Sequence, residues 1–356
     1  MGVDYVMSER GAKEEVRKLQ LTGGSTYIVS LPKGWVERMG MGKGSNVSIT
    51  QMDDTTLSLR PEREGRDEEP RRAVIAVSDE ITPENVVRRV VSAYLIGYSL
   101  IQIRNPLKRI DLAQKLAVKD FTRKKLIGTE IVSDLPREMT LQVLLGRSEL
   151  SVTDALRRMS MIAASMHREA VSALGADDAR LARGIVAMDD EVDRFGLYII
   201  RLLKEAAVDP YSMREIGLTS AREGLGYRLI TKSVERMADH AVNIAQNSLA
   251  LTLSGLGEDL MGGLGPLSDE AVGVFEGSIE ALFDWSYASA EAVIGRAESI
   301  RGEEAEVVRR IIKNAASGDV PSLRLIVESV MRTAEYGADI AEVVLNLTIR
   351  DEIRGG

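Results

Sequence analysis

From Ser151 to Ile349 the apolar residues recur at spacings of three and four, as in Leu156, Met159, Ile162, Ala163, Met166 and Ala170. This is the period of amphipathic helices packing on one another. The pattern predicts one helix from Ser151, a second over 179–207 and a third over 220–251. A glycine-rich connector over 253–266 follows, and then three more helices over 269–294, 296–316 and 321–349. Three helices followed by three helices make an internal repeat.

One helix of the first copy carries unusual chemistry. Glu235, Asp239 and Asn243 follow one another one turn apart, drifting only about 40° per step, while Met237, Ala238, Ala241, Val242, Ile244 and Ala245 make the rest apolar. Carboxylates one turn apart in a half-buried setting repel unless a cation or a proton intervenes. On spacing alone the partner can be Arg236 or Lys232 at the bundle surface, or a bound metal ion. Asp189 and Asp193 repeat the same spacing on the preceding helix. Facing helices that each offer two acids can bridge cations.

The stretches ERMADHAVNIAQ (235–246) and MDDEVDRF (188–195) resemble the PhoU family of phosphate-uptake regulators. The resemblance implies tandem three-helix bundles, each able to hold a multinuclear iron or zinc cluster. It makes Asp189, Asp193, Glu235 and Asp239 candidate ligands of a first site. Laying Asn243-Ile-Ala on Asp339-Ile-Ala pairs Asp239 with Glu335 and Asn243 with Asp339. Laying Arg201-Leu-Leu-Lys204 on Arg310-Ile-Ile-Lys313 pairs Asp189 with Glu298 and Asp193 with Gly302. Glu298, Glu335 and Asp339 are thus candidates for a less complete second site. His240 is read as a packing residue and His167 as exposed.

Composition narrows the metal chemistry. The 356 residues contain no cysteine and only two histidines. Disulfides, thiolate sites and cysteine catalysis are excluded, and oxygen ligands favour hard cations, so magnesium and calcium are alternatives to iron and zinc. The longest apolar run, Ala93 to Ile103, is interrupted by Gly97 and Ser99 and is short of the roughly 20 residues a spanning helix needs. No signal-like segment opens the sequence. A soluble, cytoplasmic protein without membrane insertion is expected.

After a tail over residues 1–12, residues 13–61 read as a small β module. Val16 to Leu21 and Tyr27 to Leu31 flank the turn-forming Thr22-Gly23-Gly24-Ser25, Pro32 suits the start of a short helix and Gly40 its stop, and a second hairpin turns at Asp53-Asp54. So few residues bury little core, so the module should dimerise or dock. Gly40-Met-Gly-Lys-Gly-Ser45 lacks the spacing of a phosphate loop and leads into a strand, so it is read as a turn. The stretch RKLQLTGGSTYIVSLPKGWVERMGMGKGSNVSITQMDDTTLSLRP resembles an AbrB/SpoVT-type swapped-hairpin domain. The resemblance implies a DNA-binding homodimer in which Arg17, Lys18, Lys33, Arg38 and Lys43 are candidates for contact with phosphates or bases. Seven basic against five acidic residues over 13–60 make any such binding modest and salt-sensitive.

A charged linker over 62–71 leads to a strand and helix alternation over 72–147, read as a small α/β unit. Its Lys108, Arg109, Lys115, Lys119, Arg123, Lys124 and Lys125 are read as a solvated basic face. Residues 148–252 and 267–352 then hold the two helical repeats. The expected architecture is multidomain and mainly α, with a small swapped-hairpin β module, a middle α/β unit and tandem three-helix bundles.

No catalytic triad, phosphate loop or dinucleotide fingerprint occurs, so an enzyme is not expected. Together the two resemblances imply a phosphate-responsive DNA-binding regulator of phosphate uptake. The alternative is a signalling adaptor that binds phosphate transporter subunits or a sensor protein, with the β module used only to dimerise it.

Overall fold

The computed structural model describes residues 15–51, 55–62, 71–146, 149–176, 178–207, 210–251 and 258–354. The chain divides into two compact units, Met1–Glu69 and Pro70–Gly356. The expected turn at Asp53-Asp54, the tail over 1–12 and most of the linker fall outside the described residues.

In the first unit β1 (Gln20–Thr22) pairs antiparallel with β2 (Thr26–Ile28), α1 spans Lys33–Arg38, and β3 (Val47–Gln51) pairs antiparallel with β4 (Leu57–Pro61). Register places Leu21 opposite Tyr27 and Ile49 opposite Leu59. Among the described residues of this unit none is buried. Leu19, Leu21, Tyr27, Ile49 and Leu57 are all exposed. One copy of the module therefore leaves its apolar side chains in water.

The second unit opens with β5 (Arg72–Ala76), α2 (Pro83–Leu95), β6 (Leu100–Arg104), α3 (Leu112–Lys125), β7 (Thr129–Leu135) and β8 (Glu138–Val143). The strands form one sheet in the order β5-β6-β8-β7, with β5 parallel to β6 and the other pairs antiparallel. Thr82 caps α2 by accepting from the Asn85 amide, with Pro83 as the first helical residue. Asp111 caps α3 through the amides of Ala113 and Gln114. Tyr94, Ile101, Ile103, Met139 and Leu141 fill the core between helices and sheet.

The helical half comprises α4 (Val152–Ala176), α5 (Ala179–Ala206), the short α6 (Pro210–Glu215), α7 (Ala221–Ala250), α8 (Glu258–Phe283), α9 (Tyr287–Asn314) and α10 (Val320–Arg354). Helices α4, α5 and α7 pack as one trio and α8, α9 and α10 as a second, joined where α7 meets α10 and α4 meets α8. A single hydrophobic core runs through both trios. Ser220 and Glu223 start α7 with a reciprocal capping box.

The boundaries of the second trio's first helix need correction. Helix α8 begins at Glu258, so Gly262, Gly263, Gly265 and Pro266 are helical rather than part of a connector. The break after it falls at Asp284–Ser286, about ten residues before the expected 294–296 boundary. Trp285 there adopts φ 53°, the left-handed stop that glycine or asparagine usually supplies. Its indole Nε1 donates to Asp351 at 3.0 Å, which anchors the turn. No glycine or asparagine marks that stop in the sequence.

His167 is a further correction, because it is fully buried, not exposed. From α4 it meets Ser268 of α8 at 3.0 Å and Thr333 of α10 at 3.1 Å. Burial, and to a lesser degree the nearby Arg168 and His240, lower its pKa to about 3, so the ring is neutral. It fastens the two trios together at their centre. Close packing nearby is enforced by Gly337 of α10, where a Cβ would stand 2.9 Å from the Phe275 backbone of α8.

Candidate functional site

Asp189 and Asp193 lie on α5, and Glu235 and Asp239 on the neighbouring α7. The fold brings these four acids into one electrostatic group. The Asp189 pKa is raised to about 6, first by burial and then by Asp193, with Asp239 contributing as well. Asp239 is raised by burial and by the charges of Glu235 and Asp193. These carboxylates, with Asp189, Asp193 and Glu235 half-buried and Asp239 exposed at the edge, repel one another, so the seam favours a cation or a proton.

Lysines supply much of that charge. Lys125, the last residue of α3, reaches across from the α/β unit and places its Nζ 2.6 Å from both Asp190 and Asp193 of α5. Burial disfavours the Lys125 charge, but hydrogen bonds to Asp190 and Asp193 outweigh it and raise its pKa. Lys232 pairs with Glu235 on α7. Among the described residues no three acids or histidines stand close enough to hold one metal ion. The donor set is chemically suited to a hard cation, and as arranged it closes on the ammonium groups of Lys125 and Lys232.

The basic face is therefore not simply solvated. Lys115 and Lys119 both pair with Asp134, Lys124 with Asp120, Lys108 with Asp79, and Lys125 with the seam. Asp190 and Lys125 were not singled out as a pair in the sequence. The helical spacing of Asp190 and Asp193 puts both on the side of α5 that faces α3, but only the fold brings residue 125 to them.

A second fastening joins the same two layers. Arg201 of α5 is buried and pairs with Glu205 at 2.9 Å. Its Nη1 also donates to the carbonyls of Tyr94 and, at 2.9 Å, Tyr98, where α2 ends. It thereby adds a side-chain donor at the end of α2, where intrahelical partners run out. Gly97, at φ +95°, lets the chain pass, since a Cβ there would lie 2.8 Å from the Glu205 side chain.

The second copy is arranged differently. Asp339 is exposed, its pKa raised by partial desolvation and by Glu342 and Glu335, while Glu335 itself pairs with Arg332 at 2.7 Å. Glu298 is exposed on α9 and is not among the charges acting on Asp339. His240 packs as read, with Ser329 at 3.2 Å and Tyr336 at 3.3 Å. In the first unit Lys18, Arg38 and Lys43 are exposed, Arg17 pairs with Glu15, and Lys33 lies 3.7 Å from Glu37.

Comparison with known families bears on both the helical half and the front module. The family model described as PhoU domain matches residues 156–248, which carry all four acids of the seam. Residues 156–248 are thus similar to a PhoU domain. The match ends in α7 and does not extend to the second trio. Residues 20–67 match the model described as "Antidote-toxin recognition MazE, bacterial antitoxin". Both ends thus agree with the resemblances read from the sequence.

No curated protein matches the chain. Among solved structures, the phosphate transport system regulatory protein PhoU from Streptococcus pneumoniae is 18% identical, with a TM-score of 0.48, over 55% of this chain and 92% of that one. PhoU from Pseudomonas aeruginosa is 19% identical, with a TM-score of 0.49, over 58% of this chain and 96% of that one. In the present chain Lys125 of the α/β unit enters the acidic seam. Among the described residues no helix is long and apolar enough to cross a membrane.

Proposed function

We propose that this chain is a phosphate-responsive, DNA-binding transcriptional regulator of phosphate uptake that works as a homodimer through its β module. The observation that carries the reading is the presence, on one chain, of a PhoU-like domain spanning the acidic seam and a MazE-like module at the front. In this reading the helical half and its α/β layer form the sensing body. The front module presents Arg17, Lys18, Lys33, Arg38 and Lys43 of two copies to one DNA duplex. A change in the sensing body alters how those residues are presented, which requires two states of different ligand affinity.

The protein acts as a regulator rather than an enzyme. Iron or zinc, which the family resemblance implies, enters only as a competitor of Lys125 for Asp193 and its neighbours. No step of the proposed mechanism depends on a bound metal.

The test is fluorescence anisotropy of the full chain against DNA from upstream of its own and neighbouring transport genes, with scrambled DNA as control. Preferential binding that an Arg17→Ala/Lys18→Ala double variant abolishes supports the reading. Equal binding to both DNAs, or none, overturns it.

One observation favours the adaptor reading. Arg17 and Lys33 are already paired with Glu15 and Glu37, and the same module exposes Leu19, Leu21, Tyr27, Ile49 and Leu57. A dimerisation device that leaves transporter or sensor recognition to the helical half needs only those apolar groups. Co-purification with transporter subunits in the absence of DNA binding identifies that case.

A further inference from the structure

Arg194 follows Asp193 on α5 but belongs to a different environment. It is half-buried, no ion pair or hydrogen bond joins it to another described residue, and its Nε is fully buried without a partner. A guanidinium stays charged at any physiological pH, and burying it unpaired is costly. On α3, Thr122 is 1% exposed and its Oγ1 is likewise buried without a partner. These two orphaned groups line the same pocket.

That pocket measures about 240 Å³ and lies where the end of α3 and the start of β7 meet α5. Its polar lining consists of Arg194, Arg123, Thr122, Thr129 and Glu130. Thr129 is already satisfied by the Ile127 carbonyl at 3.3 Å. Two cationic side chains against the single, exposed carboxylate of Glu130 leave the pocket with excess positive charge. The neighbouring lysines do not add to it, because Lys124 and Lys125 are taken up by Asp120 and by Asp190 and Asp193.

We infer that this pocket binds a small tetrahedral oxyanion of the phosphate or sulfate class, gripped by Arg194 and Thr122 and flanked by Arg123. The planar fork of a guanidinium donates two parallel hydrogen bonds to two oxygens of such an anion, and a threonine hydroxyl donates a third. The volume exceeds that of one bare anion and leaves room for its remaining hydration. The pocket is formed by the α/β unit and the bundle together, so the anion bridges the two layers that Lys125 and Arg201 also fasten. The inference does not depend on the DNA-binding reading, because anion affinity is measured without DNA.

The experiment is isothermal titration of the full chain with inorganic phosphate at constant ionic strength, alongside thermal melts with and without phosphate. Wild-type protein is expected to bind saturably and to melt higher with phosphate. Arg194→Gln is expected to lose roughly tenfold or more in affinity and Thr122→Val several-fold, whereas Glu130→Gln gains affinity by removing the opposing charge. If Arg194→Gln does not fold, Arg194→Lys replaces it: the retained charge without the fork should bind weakly, and wild-type affinity in that variant would count against the fork. Displacement of phosphate by sulfate but not by chloride supports a tetrahedral site. Equal displacement by chloride, unchanged affinity in folded Arg194→Gln, or no saturable binding up to millimolar phosphate would overturn the inference.

Discussion

Single residues carry consequences that a solution measurement can reach. His167 is neutral and buried, with a pKa lowered to about 3, whereas in the unfolded chain it titrates near its ordinary 6.5. Between those values the unfolded state holds one more proton than the native state. This contribution to stability is therefore complete above pH 6.5 and is lost as pH falls, at about 1.4 kcal/mol per pH unit. His167→Gln keeps a hydrogen-bonding side chain but removes the titration. Chemical denaturation from pH 7 to pH 5 should show wild type losing stability more steeply than the variant. Parallel curves would show that the ring is not held neutral. Gly337 makes a steric prediction of the same kind: Gly337→Ala forces a methyl to 2.9 Å from the Phe275 backbone and should cost roughly 1–3 kcal/mol, read as a lower denaturation midpoint.

At the scale of elements the decisive contact is between α3 and α5. Lys125 neutralises Asp190 and Asp193, so Lys125→Met should destabilise the protein by roughly 1–2 kcal/mol, more than an exposed ion pair and less than a fully buried one. Removing the ammonium also lets another cation approach the seam. Affinity for a divalent ion, measured by titration with zinc, should be higher in Lys125→Met than in wild type. Equal affinities would mean that Lys125 does not compete for these acids. The elements also show what could be seen in advance. Capped helices such as α2, with Thr82 and Pro83, and α7, with Ser220 and Glu223, announce their starts through side-chain chemistry. The end of α8 does not, because Trp285 takes a glycine conformation by virtue of a contact with Asp351 that lies 66 residues away. The four acids were legible from their one-turn spacing. Lys125, Arg201 and Arg194 were not, because their meaning lies in partners, or in missing partners, on segments distant in sequence.

For the whole molecule, the two units have opposite needs. The unit from Pro70 onward buries one continuous core through both helical trios and a second under the sheet. The front unit buries none of its described residues and exposes Leu21, Tyr27, Ile49 and Leu57. Sedimentation of the full chain should give a dimer, and charges introduced by Leu21→Glu and Ile49→Glu should shift it to monomer without lowering the main unfolding transition. A chain that stays monomeric at every concentration would remove the basis for doubling the basic residues.

The most direct test of the regulatory account is the affinity of the full chain for its upstream DNA across a salt series, with and without inorganic phosphate. Five candidate basic residues per copy make ten in a dimer. The logarithm of affinity should therefore fall linearly with the logarithm of salt, with a slope no steeper than about −9, and phosphate should change the affinity at fixed ionic strength. Affinity for upstream DNA indistinguishable from that for scrambled DNA and unmoved by phosphate would contradict it.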